Sequence, residues 1–101
     1  MAKKTSSRPI VRLLDALSQR WMLRILWEMR IGDPLTFRAL RSACDQMSPT
    51  VLNGRLADLR ELGVVTHVEG EGYVLTEAGQ SLGETLMSLN EWAHEHLKPD
   101  I

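Results

Sequence analysis

Residues 47–65, MSPTVLNGRLADLRELGVV, decide how this chain folds. Ser48 offers a side-chain oxygen for a helix N-cap, and Pro49 suits the first helical position, where its missing N–H is not needed. Leu52, Leu56, Leu59 and Leu62 then recur at helical spacing as an inner stripe, and Gly63 ends the helix. The opposite side is unusual. On a wheel of about 100° per residue, Thr50, Asn53, Gly54 and Ala57 gather there, towards the N-terminal half. Glycine inside a helix costs roughly 1 kcal/mol relative to alanine, so a flat, polar, small-residue face calls for an explanation.

The flanking segments supply a context. Upstream, Thr36 can cap a short helix over 36–44 whose inner side is Phe37, Leu40 and Cys44, with Arg38 and Arg41 outside, and "DQM" makes a tight connection to Ser48. Downstream, "VVTHVEGEGYVL" is two runs rich in β-branched residues around "GEG", a hairpin over 64–75. Thr76 caps a last helix over 77–97 with an apolar stripe of Ala78, Leu82, Leu86, Leu89, Ala93 and Leu97. Pro9 opens a first helix with Ile10, Leu13, Leu14 and Leu17 on one face. A second, from about Gln19 to Arg30, is apolar nearly all round and should be buried on two sides; "IGDPLT" stops it. The order is helix, helix, helix–turn–helix, hairpin, long helix. The expected fold is mainly α with a small β-hairpin: one winged helix-turn-helix domain over 9–97, extended by helices at both ends, with a basic arm over 1–8 and a short tail over 98–101.

Bulk properties agree with one small domain. The chain has 101 residues, 44% of them apolar and 25% charged, ordinary for a globular protein. No apolar run approaches the roughly 20 residues of a membrane span. MAKKTSSRP has no hydrophobic region behind it, so no secretion signal is expected, and a single cysteine fits a reducing cytosol. Net charge is −1, but residues 1–30 carry +5, residues 31–68 are neutral and residues 69–101 carry −6. Such a polarised chain is not excluded from DNA, and its basic N-terminal third is the expected contact.

In a helix-turn-helix the second helix lies in the major groove with its N-terminal residues at the base edges. Small residues allow close approach, Asn can pair with adenine, and Thr offers a hydroxyl or methyl contact. Ser48, Thr50, Asn53, Gly54 and Ala57 are therefore candidate base contacts. The alternative is a solvated face with a tolerated glycine. On the helix alone the two weigh equally; its place after a short Arg-bearing helix and a tight turn favours DNA. Arg38, Arg41 and Arg60 are candidate phosphate contacts, or else ordinary surface arginines. Arg55 falls near the edge of the apolar side. Its first expectation is a packed stem with the guanidinium on a carboxylate, and a phosphate contact is second.

These pieces together resemble the HxlR-type winged helix-turn-helix transcriptional regulators, relatives of the MarR group. The resemblance rests on "RWMLRILWEM", "LTFRALRSA", "MSPTVLNGRLADLRELGVV" and "YVLTEAGQSL", in this order, and covers roughly residues 9 to 97. It implies a cytoplasmic homodimer whose terminal helices interlock and whose two recognition helices read a palindromic operator in double-stranded DNA. Ile10, Leu13, Leu14, Leu86, Leu89, Trp92, Ala93 and Leu97 are the candidate dimer interface; the bland alternative folds these stripes back on their own domain. Three departures stand out. Arg8 occupies a position where members often carry cysteine, the "VEGEGY" wing is short and acidic through Glu69 and Glu71, and no appended effector domain is expected. Any small-molecule effector would then bind at the dimer interface or in the core.

Other chemistry is not expected. Cys44 reads as a small buried hydrophobe, with a redox switch the minority alternative. His94 and His96 point to different faces and His67 lies in the hairpin, so no metal site is expected. Trp21, Trp27 and Trp92 could line an aromatic pocket but at these spacings are more often core. No nucleophile–base pair, phosphate loop or cofactor motif is present, which argues against an enzyme. The rival function is a winged helix for protein–protein interaction, suggested by the acidic wing and near-neutral charge; a small-molecule-responsive regulator refines the first.

Overall fold

In a computed structural model, which describes residues 8–99, the chain forms α1 (Pro9–Leu17), α2 (Met22–Met29), α3 (Phe37–Ala43), α4 (Pro49–Leu62), β1 (Val65–Val68), β2 (Gly72–Leu75) and α5 (Glu77–His96). This is a winged helix-turn-helix with an added helix at each end. The lysines of the basic arm lie outside the described residues, as does the end of the tail.

The caps follow the sequence. Thr36 Oγ1 accepts from the Ala39 amide at 3.0 Å, and Ser48 Oγ accepts from the Val51 amide at 3.3 Å. Gly63, at φ +89°, lets the Gly63 and Val64 amides turn back onto the Leu59 carbonyl, closing α4. Leu52, Leu56 and Leu59 are buried beneath α4, whereas Leu62 is only partly covered. Met22, Ile25, Leu26 and Met29 of α2, Leu40 and Cys44 of α3, Met47, Val64, Val65, Leu75 and Leu86 complete the core. Each fully buried Leu or Met contributes about 1.5–3 kcal/mol over exposure.

Thr76 joins two elements. Its hydroxyl donates to the Gly63 carbonyl at 2.7 Å and accepts from the Gly79 amide at 3.1 Å. One side chain therefore binds the end of α4 and caps α5. Gly79 packs directly on the Val64 carbonyl, and a Cβ there would collide with that oxygen.

Four expectations need correction. Helix α2 begins at Met22 rather than Gln19, because Trp21 adopts a left-handed conformation at φ +78°. It buries one face, not two: Leu23 is exposed and Trp27 partly so. Ala78 is exposed; the inner face of α5 is Gly79, Leu82, Gly83 and Leu86, and at Gly79 only a glycine lets the helix lie so close to the Val64 carbonyl. Finally, Gly72 belongs to β2 and not to the turn, which is Glu69, Gly70 and Glu71. Leu35 adds a one-residue third strand: its amide and carbonyl bond to Tyr73 at 3.0 and 2.8 Å. Gly72, at φ +124°, admits the Leu35 carbonyl, which a Cβ would meet at 2.5 Å.

Candidate nucleic-acid interface

The turn between α3 and α4 sets the site. Asp45 and Gln46 are both left-handed, at φ +59° and +56°, an uncommon pair for residues with side chains. Three sets of bonds hold it. The Gln46 amide donates to the Arg41 carbonyl at 2.8 Å, and Gln46 Nε2 donates to Ser42 Oγ at 3.2 Å. Arg41 Nε donates to the Met47 carbonyl at 2.7 Å. Arg24, on α2, donates to the Ala43 carbonyl at 2.7 Å and pairs with Glu28 at 2.9 Å and Asp45 at 3.4 Å. Such guanidinium–carbonyl bonds are charge-assisted, and they fix α4 relative to α2 and α3.

On α4, Ser48, Thr50, Asn53, Gly54 and Ala57 are all exposed on the face away from the core. Ser48 Oγ is already engaged as the cap. A Cβ built on Gly54 would meet nothing within 4 Å. The fold does not require glycine at this position, in contrast to Gly79.

The candidate phosphate arginines divide into two pairs. Arg38 on α3 and Arg60 near the end of α4 are exposed. Arg41 is a correction: its guanidinium is half-buried across the turn it stabilises, not turned outward. Arg55 Nε donates to the Arg20 carbonyl at 2.8 Å, and its Nη1 lies 3.9 Å from Asp58 Oδ2. Arg24 and the Arg20 carbonyl were not foreseen as parts of this frame. The Arg24–Glu28 pairing has a visible i, i+4 signal, but contacts across the turn have none.

Cys44 is fully buried behind the turn. Burial raises its thiol pKa, outweighing the lowering by nearby Arg24, so the unreactive protonated form is favoured. Among the described residues no group of three His, Cys, Asp or Glu could hold a metal ion, and no helix is long and apolar enough to cross a membrane. The wing tip carries exposed Glu69 and Glu71, and His67 packs on Tyr73 with ring centroids 4.7 Å apart.

The candidate dimer residues also divide. Ile10 is 53% exposed, Leu14 56%, Leu89 60%, Trp92 55% and Leu97 61%. Leu13 and Ala93 are partly covered. Leu86 is a correction: at 6% exposure it belongs to the core, held between α5 and the rest of the domain. A shallow hollow of about 350 Å³ lies beside it, lined by Leu23, Arg24, Trp27, Leu89 and Asn90.

A braced helix-turn-helix with an outward polar face on its second helix, followed by a hairpin, defines a DNA-binding regulator of the winged-helix class. The chain belongs to the HxlR-like helix-turn-helix family, whose model matches residues 16–101. Solved structures agree. A possible HxlR family transcriptional factor from Thermoplasma volcanium GSS1 is 28% identical, covering 86% of this chain and 83% of that one, with a TM-score of 0.76. Quinone-bound YodB from B. subtilis is 23% identical over 89% of this chain and 99% of that one, with a TM-score of 0.78. The reduced form of YodB is 24% identical over 95% and 100%, with a TM-score of 0.74. The two YodB likenesses speak to the fold alone. No curated protein matches the chain.

Proposed function

We propose that the protein is a sequence-specific transcriptional regulator that works as a homodimer on a palindromic operator. In this reading α4 enters the major groove, Thr50 and Asn53 meet base edges, and Gly54 and Ala57 leave room for the backbone to approach. Ser48, at the helix start, lies beside the same bases. Arg38 and Arg60 hold phosphates. The observation that carries the reading is Gly54: it faces open space, no contact within the fold calls for a glycine there, and close approach of a docked groove would give its cost to the helix a use. The work of such a regulator lies in the cytoplasm, with its DNA.

The unburied apolar stripes support dimerisation. No residue of α1 is buried, and α5 beyond Leu86 leaves Leu89, Trp92 and Leu97 in solvent. A second copy would cover both, and a two-fold pair of recognition helices suits half-sites about 34–36 Å apart.

The effector reading has a specific observation of its own. The hollow beside Leu23, Trp27 and Leu89 is mostly apolar and continues the proposed dimer surface. A ligand seated there would raise thermal stability and alter operator affinity.

Fluorescence anisotropy tests the main reading, using a duplex from the protein's own upstream region, a scrambled duplex, and several salt concentrations. Salt-sensitive, preferential binding to the first duplex is expected, and Asn53→Ala should cost about 1–3 kcal/mol on that duplex only. Equal loss on both duplexes would remove Asn53 from the base-reading face. No binding by the wild type even at low salt would leave the protein-interaction alternative, with the acidic wing as its surface.

A further inference from the structure

Arg55 is the one arginine of the recognition helix that reaches back across the domain. Its Nε donates at 2.8 Å to the carbonyl of Arg20, 35 residues earlier, in the corner between α1 and α2. Asp58, one turn along α4, stands 3.9 Å from Nη1, and the side chain is only 23% exposed. The guanidinium is thus held inward, away from the face carrying Asn53 and Gly54.

The carbonyl it grips is not ordinary. The Arg20 carbonyl and the Trp21 amide share one rigid peptide plane. Trp21 sits at φ +78°, ψ −13°, a conformation that costs a bulky side chain of order 1–3 kcal/mol. Returning Trp21 to negative φ by a peptide flip would swing the Arg20 carbonyl away from Arg55. The hydrogen bond and the left-handed corner are therefore one degree of freedom. Trp21 packs against the core, and Arg20 lies over its ring at 5.6 Å, so the corner is held from several sides. On its far side runs α1, which buries no residue in its own domain.

We infer that Arg55 is a positioning residue for DNA reading: it latches the recognition helix to the Arg20–Trp21 peptide, so that the placement of α4 depends on the corner from which α1 departs. This rests on α4 being the reading helix. A displacement of α1 then reaches α4 through this peptide plane as well as through the contacts that Leu17 and Trp21 make with the core.

The test compares wild type, Arg55→Gln and Arg55→Lys, at a temperature where melting curves show all three folded. Each is titrated against a duplex enriched from a random pool by the wild type and against a scrambled duplex of equal length, over a salt series. Amide exchange at Gln19 and Met22, which hydrogen-bond within the corner, is followed without DNA. For Arg55→Gln, preference for the enriched duplex should fall about tenfold with an unchanged salt slope, as loss of one charge-assisted bond implies. Exchange at the corner should quicken about tenfold, and Arg55→Lys, which can still donate to the carbonyl, should recover part of both. A salt slope lower by about one with preference intact would make Arg55 a phosphate ligand and overturn the latch. Unchanged exchange at the corner would also overturn it. If the wild type enriches no duplex, the regulator reading fails and the positioning role fails with it, while the exchange measurement still decides whether Arg55 holds the corner.

Discussion

Replacing Gly54 by alanine should make the protein more stable and its DNA binding weaker. A methyl group there meets no atom within 4 Å, so it adds no clash. The backbone at Gly54 is helical, and the gain is the difference in helix propensity, about 0.8–1.0 kcal/mol. For a domain of this size that raises Tm by roughly 4–8 °C. In urea the midpoint should rise by about 0.3–1 M with the slope unchanged. DNA affinity should move the other way, because the methyl stands where α4 is proposed to press on the groove. Anisotropy on the preferred duplex, beside urea melts of the same samples, reads both. A variant that is stabilised and binds as tightly as wild type would refute close approach at this position. A destabilised one would show that Gly54 serves the fold after all.

Other outcomes are expected. Gly79→Ala should destabilise by about 2 kcal/mol or more, because its methyl would strike the Val64 carbonyl and α5 must move; urea unfolding checks it. Thr76→Val keeps the shape but removes the hydroxyl that donates to Gly63 and caps α5, costing about 1–2 kcal/mol by the same measurement. Leu89→Glu, at a site 60% exposed, should shift sedimentation from dimer to monomer and, with the partner's stabilisation lost, lower Tm and remove its dependence on protein concentration. Cys44 ionises less readily in the folded state than in the unfolded chain. Its contribution should be constant at neutral pH and lost as pH rises from the ordinary thiol value through the raised one, and thiol labelling should track unfolding until then. Rapid labelling of the native protein at neutral pH would contradict its burial.

The parts of the fold that local chemistry determines were legible in the sequence. Ser48, Thr36 and Thr76 cap where a hydroxyl precedes an apolar period, Gly63 stops α4, and the leucine stripe points inward. What was not legible is held by partners far along the chain. Trp21 carries no signal for a left-handed backbone; its conformation depends on the core beneath it and on Arg55. Leu35 pairs with Tyr73 across 38 residues, and a single bridge leaves no period. The Ala78 stripe was off by one residue because the count favoured methyl groups over glycines, while close packing on Val64 required the opposite. Among the arginines, position on a wheel set Arg55 apart but could not foresee the Arg20 carbonyl as its partner, and it could not tell Arg41, whose guanidinium is engaged with the Met47 carbonyl, from Arg38 and Arg60. Asn53 and Gly54 were visible as a face.

The Thr76 joint has a mechanical consequence. With one hydroxyl gripping the end of α4 and the start of α5, and Gly79 seated on Val64, the two helices meet at a stiff elbow. Helix α5 has 20 residues and so extends about 30 Å from it. A tilt of about 5° at the elbow moves the far tip by roughly 2.6 Å over that length. On the proposal that α4 reads DNA, a displacement of the tip by about the radius of one methyl group would turn the elbow by only a few degrees, and coarse motion at Trp92 and Leu97 would become fine adjustment at Asn53.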